Sequence, residues 1–378
     1  MTLIETKKNR LEYLDSLRGL ASVTVVISHF VLAYRLDLEF KVINYSPLHF
    51  FFDGFAAVTL FFILSGFVLT LSIEKSEKLV LGKFYLKRIF RIMPAYIVIL
   101  ILSFIAFLFF KIKYTDPASS SWINIYWSKS LDLYHFIKQI IFLNPGNNAE
   151  LVPQNWSLLI EMLFSFLMPF LYLIYKKGSH LYLLAFNLIL YFLFQAPVFI
   201  IHFSLGIFLA LNQEKSIGLL NKIKLKYKLA LILIIWFLYT YRFTLPMYYY
   251  YIVRKQSPIL NNDDLVWIVT GFGAFFLLVY CLSSQRLQKI LNSKPLVFIG
   301  RISYAIYLTH FGILIFVIPL FVNLLNERGI VNKYFIWASS LSILLLLTFL
   351  ISYLLTTLVE IPLVRLGNNF FKKEKHLQ

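Results

Sequence analysis

Cysteine is almost missing from this chain. Cys281 is the only one among 378 residues, which excludes an internal disulfide, a thiolate zinc cluster and a CxxC redox site. Its place in the run "FFLLVYCLSSQ" reads as packing. Charge is scarce too: 14% of residues are charged, against about 25% in ordinary soluble domains, and no polar stretch is long enough to be read as a detachable soluble domain. The first apolar run lacks a small-residue cleavage site, so it reads as a retained helix and not a removed signal peptide. There is no internal repeat and no matching pair of Gly/Pro-broken helices of the kind that marks many transporters. What is abundant is apolar surface, at 60% of residues, in runs such as 92–110 and 334–359. A helix needs roughly 20 residues to span a bilayer, so the expected fold class is an all-α integral membrane protein.

Ten spans are expected, at about 17–36, 55–73, 91–110, 156–175, 180–196, 197–212, 229–245, 265–283, 302–323 and 335–358. The 36 Lys and Arg residues outnumber the 18 Asp and Glu by two to one. About two thirds of these basic residues fall on segments that share one side if the chain alternates. The positive-inside rule then puts both termini in the cytoplasm. The surplus charge reads as a topology signal and an attraction to anionic lipid headgroups, and no nucleic-acid partner is expected. The longest segment between spans, 111–155, falls outside and contains "SSSWINIYW" and "NPGNNAELVPQNW". Its Trp, Tyr, Asn and Ser suit either an aromatic belt or a surface that stacks on a sugar.

Ionisable groups in hydrocarbon are costly unless they face a partner or a cavity, and several spans carry them. In "LRGLASVTVVISHF" Arg18 and His29 are eleven residues apart, about three turns, and share one stripe. Arg18 is expected near the inner surface and His29 in the outer half. "NWSLLIEMLF" puts Glu161 and Ser157 on one face, with Glu161 either an obvious partner for His29 or a pin between helices. Trp156 adjoins them on the outer side. In "GRISYAIYLTHFGIL" Ser303, Tyr307 and His310 form a polar stripe that faces protein or water, with His310 expected either to line the cytoplasmic entry or to be a satisfied histidine between helices. In "LKRIFRIMPAY" Arg88 and Arg91 lie one turn apart at the inner surface, where they serve either as topology anchors or, with Arg18, Lys87 and Arg301, as a clamp for a polyphosphate. "FFILSGF" suggests a helix interrupted at Ser65-Gly66, and "VEIP" places Glu360 and Pro362 at the end of the last span.

Taken together and in this order, "LDSLRG" with its Arg-x10-His spacing, "FFILSGF", "KRIFRIMPAY", "NWSLLIE", "GRISYAIYLTH" and "VEIP" resemble the bacterial acyltransferase-3 family. The family usually has glycine where this chain has Ser16. The resemblance covers nearly the whole chain. It implies a multi-pass protein of the bacterial cytoplasmic membrane that moves an acyl group, acetyl above all, from cytoplasmic acyl-CoA to a hydroxyl of an extracytoplasmic saccharide. It also implies the stand-alone form, a single domain over 1–378 with no appended soluble domain. Arg18, Arg88, Arg91, Ser303, Tyr307 and His310 would then bind the donor. His29 would be the general base and Glu161 its orienting partner, with Trp156 and Ser157 on the acceptor side; a covalent acyl carrier on His29 or a serine is the alternative. Acetyl-CoA is expected as substrate, with no permanently bound cofactor and no metal. The rival reading is a transporter or flippase of a lipid-linked sugar or acyl donor that does no chemistry.

Overall fold

The computed structural model describes residues 11–36, 46–76, 79–110, 119–127, 131, 133–143, 150–194, 197–244 and 262–369. The basic residues Lys7, Lys8, Arg10, Lys78, Lys372, Lys373 and Lys375 and much of the two outer loops lie outside this set. Among the described residues there is no strand. The helices that matter here are α1 Glu12–Ala33, α2 Gly54–Glu74, α3 Leu81–Phe110, α4 Leu133–Ile140, α5 Asn155–Gly178, α6 His180–Phe194, α7 Ile200–Leu211, α8 Leu225–Tyr239, α9 Asp263–Ser283, α10 Lys294–Arg301, α11 Ser303–Glu327, α12 Lys333–Leu355 and α13 Ile361–Asn369. Several begin on a side-chain cap that satisfies their first amides. Asp53 accepts from Ala56 N–H at 2.9 Å for α2, Asn262 from Leu265 N–H at 3.0 Å for α9, and Asn332 from Tyr334 and Phe335 N–H for α12.

Among the described residues, seven helices are long and apolar enough to cross a membrane: α1, α2, α3, α5, α9, α11, and α12 with its continuation to Asn369. The expected fifth, sixth and seventh spans are helices of only 15, 12 and 15 residues. At about 1.5 Å per residue the longest of these reaches some 22 Å, short of a hydrocarbon core of about 30 Å. Their directions are nevertheless fixed by side-chain pairing. Trp156 meets Phe199, and Phe164 meets Phe203, so α5 and α7 run the same way. Phe55 stacks on Trp267, and Thr59 lies beside Gly271, so α9 runs parallel to α2. It follows that α6 and α8 carry the chain back along the bundle between them.

α2 is the central helix, with 78% of its apolar window buried. It passes unbroken through Ser65-Gly66, contrary to the expected interruption. Gly66 is there for packing: a Cβ at this position would lie 2.3 Å from the carbonyl oxygen of Phe203, and one on Gly206 equally close to that of Ile63. Small residues let two backbones touch where lipid gives helices no hydrophobic reason to associate. The same device joins α1 to α10, where a Cβ on Gly19 would lie 2.6 Å from Gly300 N and one on Gly300 2.4 Å from the Asp15 carbonyl carbon.

The last span is also longer than expected. Thr356–Glu360 forms one turn of π-helix, which leads into α13. Pro362 can neither donate a hydrogen bond nor tolerate a tight preceding turn, and the widened turn accommodates it without ending the helix.

Candidate active site

α1 and the α10–α11 segment run parallel and in register. Gly19 touches Gly300, Ser22 Oγ donates to Ser303 O at 2.9 Å, and His29 Nδ1 lies 2.8 Å from His310 Nε2. The two partners are 281 residues apart in the latter two pairs. One flank of α1 thus presents Arg18, Ser22 and His29 to the interior, as the shared stripe predicts.

Arg18 and Ser22 open onto a cleft of about 700 Å³, part of it open to solvent. It is also lined by Ser65 from α2, Arg88 and Arg91 from α3, Ser157 and Glu161 from α5, and Ser303, Tyr304 and Tyr307 from α11. Three guanidinium groups thus gather at one cleft, each with a carboxylate beside it, Arg18 with Asp15 at 3.9 Å, Arg88 with Glu161 and Arg91 with Glu360, and their planar forks suit bidentate binding of an anion. Arg88 Nη2 donates to Glu161 Oε1 at 2.7 Å and Arg88 Nε to Ser165 Oγ at 3.2 Å, while Ser65 Oγ reaches the same carboxylate at 3.3 Å. Arg91 is paired with Glu360, whose carboxylate is buried, 2% exposed, and also accepts from Thr356 Oγ1. The π-turn therefore holds an acid against one arginine of the cleft. Tyr304 donates to Ile92 O at 2.7 Å, and its ring lies under the Arg91 guanidinium.

Two of the expected partnerships are different. Glu161 is bound to Arg88 and not to His29. The partner of His29 is His310, which lies level with it and not toward the cytoplasmic mouth. The reason is that α11 does not start at the edge of the bundle. α10 packs against the first turns of α1, so Ser303 already lies level with Ser22, and His310, two turns on, meets His29. His310 is fully buried and does not line the arginine cleft, whereas Ser303 and Tyr307 do. Ser157 lines that same cleft, hydrogen-bonded to the Tyr307 hydroxyl at 2.6 Å. Trp156 turns outward, 41% exposed, against Phe199 and Trp267. Lys87 and Arg301 are not in the lining; Arg301 pairs with Glu12 at 3.3 Å.

The histidine pair has a definite polarity. His310 Nδ1 lies 3.1 Å from the Ile306 carbonyl oxygen, which can only accept, so this nitrogen carries a proton. His310 Nε2 is then an acceptor in the neutral ring, and His29 Nδ1–H donates to it. That leaves His29 Nε2 with a free lone pair. Tyr307 connects the pair to the cleft: its ring lies 6.1 Å from that of His310, and its hydroxyl lies in the lining. Gln154, which sequence reasoning missed, fixes this turn of α11 by donating through Nε2 to the carbonyls of Tyr307 and Leu308, each at 3.0 Å. Its position just before the "NWSLLIE" helix was the available signal. Ser22, one turn after Arg18, and Tyr304, beside Ser303, could have been found from helical spacing.

The fold and this site define a helical membrane protein with an arginine-lined cleft leading toward a histidine pair. The sequence model of the acyltransferase-3 family, described as an acyltransferase domain, matches residues 11–357, and the chain belongs to that family. It is 24% identical over 394 residues to the peptidoglycan O-acetyltransferase OatA of Listeria monocytogenes, covering 96% of this chain and 57% of that protein. Identity is again 24%, over 331 residues, to the O-acetyltransferase OatA of Staphylococcus aureus, covering 80% of this chain and 50% of that one. The chain spans about half the length of these relatives. No solved structure matches it.

Proposed function

We propose that the protein is an O-acetyltransferase that takes an acetyl group from acetyl-CoA on the cytoplasmic side and gives it to a hydroxyl of an extracytoplasmic saccharide. The observation that carries this reading is the arginine cleft ending at Tyr307, directly beside the His310–His29 pair. Arg18, Arg88 and Arg91 would hold the donor's phosphates through bidentate, charge-assisted bonds, and the acyl arm would point along the α1–α11 seam. His29 Nε2, with its lone pair held free, removes the proton as the saccharide oxygen attacks the acetyl carbon. The C–O bond forms and the C–S bond breaks. The proton passes from His29 to the departing CoA sulfur, so the reaction leaves no net charge on the protein. His310 stabilises the transient imidazolium by accepting its Nδ1–H.

Glu161 acts here on Arg88, setting its guanidinium and moderating the positive charge of the cleft. The chain would run ten times across the bacterial cytoplasmic membrane with both termini inside, a reading supported by the shared direction of α5, α7 and α9. The test is transfer of labelled acetyl from acetyl-CoA to a saccharide by purified protein. Transfer should be abolished in His29→Ala with acetyl-CoA affinity intact. In Arg88→Ala, loss of a charged hydrogen bond should weaken donor binding by about 1.5–3 kcal/mol. A transporter or flippase would give no labelled saccharide, and unchanged turnover in His29→Ala would remove the base from the mechanism.

A further inference from the structure

The aromatic groups beside His29 other than His310 have no part in the cleft. Residues 119–127 reach them because this segment caps the end of α1: Ser120 N–H donates to Ala33 O and Ser120 Oγ to Leu32 O, both at 2.7 Å. These are carbonyls that the last helical turn cannot satisfy internally. The latch sets the Trp122 ring 5.5 Å from the His29 ring, with Phe311 closing the edge at 5.3 Å and Tyr126 packed on both Trp122 and Phe311. A second tie brings in an acid. Trp127 Nε1 donates to Leu151 O at 3.3 Å, which holds the start of the 150–154 segment beside Tyr126. Burial, and after it the Glu150 carboxylate, raise the Tyr126 phenol above its ordinary range. Glu150 Oε2 is buried with no hydrogen-bond partner among the described residues.

Trp122 and Tyr126 pack on the apolar cluster that includes Phe30 and Phe311, but packing accounts for only part of this arrangement. Trp122 is half-buried against the His29 imidazole, with Tyr126 half-buried behind it, and an apolar core has no use for a buried carboxylate oxygen without a donor. A sugar ring needs both surfaces, because a pyranose has an apolar face of C–H bonds and a rim of hydroxyl donors.

We infer that Trp122, Tyr126 and Glu150 form the acceptor subsite, and that it takes an uncharged pyranose. The C–H face of the ring lies on the Trp122 indole. One hydroxyl is offered to His29, and a neighbouring one donates to Glu150. Without an ion pair to neutralise it among the described residues, Glu150 disfavours a uronate or phosphorylated sugar by like-charge repulsion. This assignment rests on the acetyl-transfer reading for the role of His29, but sugar binding can be read without the chemistry.

The experiment uses the full chain in lipid nanodiscs, with methyl N-acetylglucosaminide and methyl glucuronide as probes. Binding is followed by saturation-transfer NMR in the absence of acetyl-CoA, and acetyl-CoA affinity is measured separately. The neutral glycoside should bind in preference to the glucuronide. Trp122→Ala should weaken that binding at least tenfold, Trp122→Phe should restore most of it, and Glu150→Gln should erase the preference against the glucuronide, all with acetyl-CoA affinity unchanged. Equal binding of the two glycosides by the wild type, or unaltered binding in Trp122→Ala, overturns the subsite. Intact, Trp122-dependent sugar binding without any acetyl transfer would support the subsite and count against the transfer reading alone.

Discussion

At the scale of the residue, what matters is which group holds which. His29 was legible in the sequence because an imidazole eleven positions after an arginine stands out in an apolar run. Its partner was not, because depth along a helix cannot be counted from a span whose starting level is unknown. The hydrogen-bonded order Ile306 carbonyl, His310, His29 makes a specific prediction. His310→Ala removes the acceptor that fixes the tautomer of His29, and the rate of acetyl transfer should fall by roughly the 10²–10⁴-fold associated with general-base catalysis. His310→Gln can still accept from His29 Nδ1–H and should recover a measurable part of kcat. Acetyl-CoA affinity should be unchanged in both, which separates loss of positioning from general damage. The three arginines and the Ser303–Tyr307 stripe were likewise legible from residue type and spacing. The pairing of Arg88 with Glu161 was not, since it depends on how α3 is rotated against α5.

At the scale of the element, apolar length gave away the long helices, but two breaks read from local sequence are absent. Serine and glycine in "FFILSGF" mimic a helix interruption, yet their cause lies on another helix: the Phe203 carbonyl leaves no room for a side chain. Gly66→Ala should therefore destabilise the protein through steric overlap by about 1–3 kcal/mol, even though alanine is the better helix former. Thermal denaturation in detergent would check the sign, since a propensity-dominated site would show a higher Tm. Pro362 deceived in the same way. A proline near the end of a span usually closes it, but here a single π-turn absorbs the defect and turns Glu360 inward onto Arg91.

At the scale of the whole molecule, parallel pairings replace a simple count of long helices. With α5, α7 and α9 running one way, the ends of α5 and α9 must share a side, and the hairpin between α11 and α12 must face the other. Cys281 is buried at 1% exposure, so the native chain is a quiet background for thiol mapping. Cysteines at Lys177→Cys and Lys289→Cys should react with a membrane-impermeant maleimide only after cells are opened, and Val331→Cys should react in intact cells. Labelling of Lys289→Cys and Val331→Cys from the same side would contradict the arrangement. The composition was enough to place this chain in a bilayer; which of its helices run parallel depends on long-range contacts that no local window contains.

The seam between α1 and α11 also has a bearing on biosynthesis. Its two halves stand near opposite ends of the reading order, so a nascent chain that has released its first helices from the ribosome already displays Arg18, Arg88 and Arg91 but has no hydrogen-bond acceptor to orient His29. On the acetyl-transfer reading, competence arrives only when the segment from Gly300 to His310 inserts alongside its early counterpart, and an unfinished polypeptide would be kept from squandering the cell's acetyl donor.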